Sequence, residues 1–249
     1  MEEYKEIYEN ANDMEMITIM DAVDPSKVAR GNRTTAAPGG IMWEGDMDAE
    51  FIWGTSWADN LAGGAGDDSL YGFEADDTIE GGYGTDKVFG DAGDDTLYAD
   101  TEANVGTSSG LDVANLLSGG QGNDRMYGST GPDVLFGGPG HDFLYGGYGI
   151  SDDEDARELH GGDGADEIWA SLYGENEITG GAGDDMILGG VNADGGLTQE
   201  TFPNMPRRAT LPSLTASTWR ETYSSYGNLD IDGGDGDDFI IGGFGANDI

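Results

Sequence analysis

Apolar residues return along this chain with a period of nine, not with the two of a half-buried strand or the 3.6 of a helix. Counted from Gly45 in units of nine, the eighth place holds Ile52, Leu61, Leu70, Ile79, Val88 and Leu97. After interruptions the series continues as Leu117, Met126, Leu135, Leu144, Leu159, Ile168, Ile178, Ile187, Ile231, Ile240 and Ile249. No polar residue falls at that place. One large apolar side chain per unit, set among polar and glycine residues, predicts short elements stacked on a narrow core, a single elongated solenoid. The first 44 residues lack the period. Tyr4, Ile7, Tyr8 and Ala11 fall at i, i+3, i+4 and i+7 and predict a helix from Met1 to about Val23, while Met16 to Met20 suits a strand equally well. A solenoid needs a cap over its first coil, and this segment is expected to supply it. Asp24 to Gly40, bounded by Asp24-Pro25 and Pro38-Gly-Gly40, reads as a linker. The domain reading is therefore 1–44 for cap and linker and 45–249 for the solenoid.

The polar part of the unit is as regular as its apolar place. Gly63-Gly-Ala-Gly-Asp-Asp-Ser-Leu-Tyr71 has the form G-G-x-G-x-D-x-U-x, with U a large apolar residue, and the full form returns at Gly81, Gly119, Gly137, Gly161, Gly180 and Gly233. This repeat explains the excess of glycine, 45 in 249 residues against a usual level of about 7%. From about Gly45 onward the chain resembles the RTX family of hemolysin-type calcium-binding nonapeptide repeats. The resemblance implies an all-β fold, a calcium-bound parallel β-roll in which six residues of each unit form a turn and three a short strand. Two units then make a coil of 18 residues, giving about 8 to 9 coils, with a stack roughly 40 Å long at a strand spacing of about 4.8 Å.

In such a roll, turns alternate between two long edges. The turns beginning at 45, 63 and 81 define edge A, and those at 54, 72 and 90 define edge B. Extra residues then fall near 99–115, 150–158 and 191–228, with one more near Ala170, and all are assigned to edge A. A solenoid that gathers its insertions on one face commonly uses that face for contacts. The resemblance also implies calcium ligands at the sixth place of the turns: Asp59, Asp77, Asp95, Asp124, Asp142, Asp166, Asp185 and Asp238 on edge B, with Asp68, Asp86 and Asp133 on edge A. Glu50, Asn115, Asn176 and Asn247 depart from the aspartate, and Gly72-Phe-Glu-Ala75 lacks two of the glycines. Carboxylates repeated at about 5 Å repel one another by about 3 kcal/mol per neighbour at an effective dielectric of 20. A stack with a core one side chain deep is therefore expected to be largely disordered until calcium binds.

Charge narrows the partners. Fifty acidic residues against ten basic ones give a formal charge of −40, which repels nucleic acid phosphates and anionic lipids and attracts multivalent cations. There is no cysteine, hence no disulfide or thiolate metal site. No apolar run approaches the roughly 20 residues of a membrane span, and Glu2, Glu3 and Glu6 stand where an export signal would carry positive charge. Paired carboxylates such as Asp94-Asp95 recur in the repeat and read as structural rather than as acid and base. His141 and His160 lack the companions of a zinc site. The 191–228 insertion differs from the rest of the chain: Phe202, Arg207, Arg208, Trp219, Arg220 and Tyr223 make it aromatic and arginine-bearing, as interface segments are.

The expectation is a non-enzymatic, calcium-stabilised structural or interaction module in an extracellular or other calcium-rich compartment, with calcium and a protein partner at edge A. A virion decoration or fibre subunit, a module for neutral glycans, and the carboxyl-terminal part of a secreted hydrolase or adhesin remain as alternatives.

Overall fold

The computed structural model describes residues 32–35, 40–101, 113–147, 156–171, 175–189, 229–241 and 247–248. The helix expected at the N-terminus and the six interface residues from Phe202 to Tyr223 lie outside them. In chain order the strands are β1 (Asn32–Thr35), β2 (Ile41–Glu44), β3 (Phe51–Trp53), β4 (Asn60–Ala65), β5 (Ser69–Glu74), β6 (Thr78–Tyr83), β7 (Lys87–Ala92), β8 (Thr96–Tyr98), β9 (Leu116–Gln121) and β10 (Arg125–Tyr127). They continue with β11 (Val134–Pro139), β12 (Phe143–Tyr145), β13 (Ala156–Asp163), β14 (Glu167–Trp169), β15 (Glu175–Ala182), β16 (Met186–Leu188), β17 (Leu229–Asp235), β18 (Phe239–Ile241) and β19 (Asn247–Asp248).

Successive strands alternate between two sheets. Even-numbered strands from β2 to β18, with β1 at the end, form a ten-stranded sheet; odd-numbered strands from β3 to β19 form a nine-stranded one. Every pairing is parallel except β1 with β2. The chain therefore winds as a flattened spiral, in which each strand pairs with the strand two places on. Part of the stretch read as linker supplies β1, which pairs antiparallel with β2 from Asn32 opposite Glu44 to Thr35 opposite Ile41. It covers an edge of β2 that would otherwise offer unpaired backbone groups.

The period of nine sets the register. Leu70 pairs with Val88 and Val88 with Leu117, while Leu97 pairs with Met126 and Met126 with Leu144. These eighth-place residues meet between the sheets, and Leu61, Leu70, Ile79, Leu97, Met126, Leu144 and Ile168 are completely buried. Seventh and ninth places face outward because side chains alternate across a strand. Ninth-place rings stack from coil to coil: Tyr71 on Phe89 with centroids 4.9 Å apart, Tyr98 on Tyr127 at 5.0 Å, and Phe136 on His160 at 4.8 Å. The segments 102–112, 148–155, 172–174 and 190–228 each connect a strand of the ten-stranded sheet to one of the nine-stranded sheet. The strand ends that flank them therefore lie on one edge, edge A.

Candidate metal centres

The turn between strands is tight enough to dictate its residues. Gly122, at the fourth place, has φ of 134°, and a Cβ there would run into the carbonyl oxygen of Gly93 in the coil before. Stacked turns therefore need glycine for backbone reasons as well as for contact. The fold imposes the same bend where glycine is missing: Phe73, Ala75 and Asp91 all hold positive φ, at 84°, 73° and 72°. The turn at Gly72 thus takes the shape of the glycine turns despite its altered sequence.

On edge B the sixth-place aspartates form one unbroken column. The backbone N–H of Asp59 donates to Oδ1 of Asp77 at 2.7 Å, Asp77 to Asp95 at 2.8 Å, Asp95 to Asp124 at 2.8 Å and Asp124 to Asp142 at 2.8 Å. Asp142 donates to Asp166, Asp166 to Asp185 and Asp185 to Asp238, at 2.8, 2.8 and 3.0 Å. Ile41 donates to Asp59 at the start. Edge A has a column of the same kind, from Glu50 to Asp68, Asp68 to Asp86, Asp86 to Asn115 and Asn115 to Asp133, each at 2.8 Å. The eleven candidate aspartates of the sequence reading all lie in these two columns.

One oxygen of each carboxylate is spent on this bond; the other decides what the site can hold. In Asp68, Asp77, Asp86, Asp95, Asp124 and Asp185, Oδ2 is buried with no hydrogen-bond donor, as is Oε2 of Glu50. Beside each lies the first glycine of the turn. A Cβ on Gly81 would sit 2.7 Å from Oδ2 of Asp86 and 2.6 Å from the carbonyl oxygen of Ala99; one on Gly90 would meet Asp95 Oδ2 and the carbonyl of Gly119. Carboxylate and carbonyl oxygens thus converge on space that only glycine leaves open. Among the described residues no three His, Cys, Asp or Glu side chains gather at one point, so side chains alone do not complete a shell. A set built from carboxylate and backbone oxygens suits Ca²⁺.

Burial works against the charge of these carboxyls. Desolvation raises the Asp77 carboxyl to about 8, with repulsion from Asp59 and Asp95 adding to it against a hydrogen bond from the Asp59 amide. Desolvation likewise lifts Asp86, Asp95 and Asp185 to about 7, Asp124 to about 6 and Glu50 to about 7, and it raises Asp68. These acids resist ionising in the fold without a positive charge beside them.

Two candidates differ. Both oxygens of Asp59 are engaged: Oδ1 accepts from Ile41 N–H and the Thr55 hydroxyl, Oδ2 from Thr55 N–H. Asp133 is closed in the same way by Ser129, whose N–H and hydroxyl donate to Oδ2 at 2.5 and 2.8 Å. Both turns carry a hydroxyl residue at the second place instead of glycine. That signal was present in Gly54-Thr55 and Gly128-Ser129. The sequence reading also missed a second, exposed column at the fifth place. Asp76 accepts from Asp94 N–H, Asp94 from Asn123, Asn123 from His141, and His141 Nδ1 from Ala165, at 2.8 to 2.9 Å. The adjacent carboxylates therefore do separate jobs, the fifth tying coils together at the surface and the sixth facing inward.

No helix among the described residues is long and apolar enough to cross a membrane. Comparison with curated proteins gives no match. The family model of the RTX calcium-binding nonapeptide repeat matches residues 44–72, 53–86, 71–105, 118–150, 160–195 and 230–249, together more than half of the chain. Those segments contain both columns of buried carboxylates, and the chain belongs to the RTX calcium-binding nonapeptide-repeat family.

Proposed function

We propose that this chain is a calcium-loaded roll that works as a structural or interaction module in a calcium-rich, extracellular setting. Asp77, Asp95, Asp124, Asp142, Asp166, Asp185 and Asp238 hold the ions on edge B. Asp68 and Asp86, with Glu50, hold those on edge A. The observation that carries this reading is the row of buried carboxylate oxygens without donors, each facing the open side of a glycine. Calcium supplies the positive charge that lets these acids stay ionised, and the chain supplies the oxygens and their spacing. Asp59, with both oxygens already hydrogen-bonded, and Asp133, with four donors, take a structural part. Sites built from one carboxylate per coil have the modest affinity of extracellular modules, which fill at millimolar calcium. Every insertion leaves from edge A, and that edge is the one proposed to meet a protein partner, with Phe202, Arg207, Arg208, Trp219, Arg220 and Tyr223 as its contact residues.

Equilibrium dialysis combined with circular dichroism tests the reading. Several calcium ions per chain should be bound at millimolar supply, and at pH 8.5 strand signal should vanish in EGTA and return on adding calcium. A chain that binds no calcium under those conditions, or whose strand-rich spectrum ignores the chelator, would contradict it.

A further inference from the structure

The column on edge A changes its chemistry halfway along. Its rungs run Glu50, Asp68, Asp86, Asn115, Asp133, Arg157 and Asn176, the last three aligned by the pairing of β11 with β13 and of β13 with β15. Three observations separate the later rungs from the earlier ones.

Asp133 has no capacity left for a metal. Its Oδ1 accepts from the N–H and the Nδ2 of Asn115 at 2.8 and 2.9 Å, and its Oδ2 from the N–H and hydroxyl of Ser129. A carboxylate offers about four acceptor sites, and here four donors use them. The column also stops there as a ladder: the N–H of Asp133 turns to the carbonyl of Gly131 at 3.0 Å instead of to a side chain of the next coil. The next rung is Arg157, where the repeat calls for aspartate. It has no exposed surface, and its guanidinium donates to the carbonyl oxygen of Thr130 at 2.5 Å. Thr130 is the third residue of its turn, within the segment whose glycine-rich counterparts hold calcium in the proposed reading. An arginine cannot shed its charge on burial, so it is kept there only where oxygens receive it. At the following rung, Asn176 lies beside the hydroxyl of Ser171 at 3.3 Å, and both are buried.

We infer that Asn115, Ser129, Asp133 and Arg157 form a metal-free clamp, in which the arginine's fixed positive charge takes the place that calcium holds at the glycine turns. The inference rests on the calcium reading above and divides it: edge B is loaded along its length, while edge A is loaded only up to the coil of Asp86. The coils between β9 and β15 then have one edge that does not depend on calcium supply.

Anomalous scattering from crystals of the full chain soaked in Tb³⁺ tests this on the unaltered protein. Peaks are expected beside Asp77, Asp95, Asp124 and Asp185 on edge B and beside Asp68 and Asp86 on edge A, and none beside Asp133 or Arg157. A peak at Asp133 comparable to that at Asp124 would overturn the clamp with the calcium reading intact, whereas a map without peaks at any rung would end both. In solution, Asp124→Asn should lower the bound calcium by at least one ion per chain, and Asp133→Asn should leave the count unchanged. At saturating calcium, Arg157→Met should reduce the ratio of folded to unfolded chain at least tenfold, more calcium should not restore it, and Arg157→Lys should recover part of it. A wild-type unfolding midpoint in Arg157→Met would remove Arg157 from the clamp.

Discussion

Edge B and the later half of edge A meet the same electrostatic problem with different means. Both stack acidic or polar side chains at the spacing of neighbouring strands, and both bury them. Edge B keeps aspartate at each of its sixth places from Asp59 to Asp238 and, at Asp77, Asp95, Asp124 and Asp185, buries the second carboxylate oxygen without a donor. The later part of edge A uses asparagine, serine and arginine to donate to oxygen directly. The first solution leaves carboxylate oxygens without a donor and sets glycine beside them; the second satisfies both oxygens of Asp133 from within the chain. Insertions accordingly gather on the edge that has partly given up the repeat.

The largest effect should come from removing calcium at different pH. The buried acids have ordinary values near 4 when unfolded and about 6 to 8 in the fold, so the folded chain binds their protons more tightly. Their contribution to stability in the absence of metal is therefore full below about pH 4 and is lost as pH rises through 6 to 8. In EGTA, circular dichroism should show more strand at pH 5 than at pH 8.5, with protons standing in for ions on edge B. An apo chain that gains strand as pH rises would reverse the comparison.

Next in size is a methyl group placed on each edge. In Gly119→Ala the new Cβ would lie 2.7 Å from both Cβ and Cγ of Asp124, and closer still to Oδ2, where the site must stay open. In Gly128→Ala it would lie 3.0 Å from the Gly146 backbone and 3.1 Å from Asp133 Oδ2. Urea unfolding in calcium should show a loss of about 3 kcal/mol for the first and about 1 kcal/mol for the second. Equal losses would mean that the two edges are packed alike. Ser129→Ala removes one hydroxyl donor from Asp133 and should cost about 1 kcal/mol whether calcium is 1 or 10 mM. A cost that higher calcium erases would make Asp133 a metal ligand after all. The smallest effect is a gain: Ala75→Gly relieves a non-glycine residue at φ of 73° and should raise stability by about 0.5 kcal/mol, net of the added freedom of the unfolded chain.

The period of nine made most of the fold legible. Counting from Gly45 placed Ile52, Leu70 and Val88 in one sheet and Leu61, Ile79 and Leu97 in the other, and it aligned Asp95, Asp124, Asp142, Asp166 and Asp185 in one column. Arg157 escaped because the insertion before it breaks the count. Counting back two places from Leu159, as Asp133 lies two before Leu135, would have found it. The closed states of Asp59 and Asp133 were hidden for another reason. An aspartate at the right place looks the same in sequence whether its second oxygen faces an ion or a neighbouring hydroxyl, and only the second residue of the turn tells them apart. The pairing of β1 with β2 had no periodic signal, since Asn32 to Thr35 lie outside the repeat.

The two side-chain columns on edge B also have direction. Amides at the sixth place point toward the following coil, and those at the fifth place point toward the preceding one. The spiral thus has a head and a tail that differ in which hydrogen-bonding groups they present. A concatenated or lengthened version would accept new coils only when joined head to tail, because a reversed junction would set donor against donor in one column and acceptor against acceptor in its neighbour.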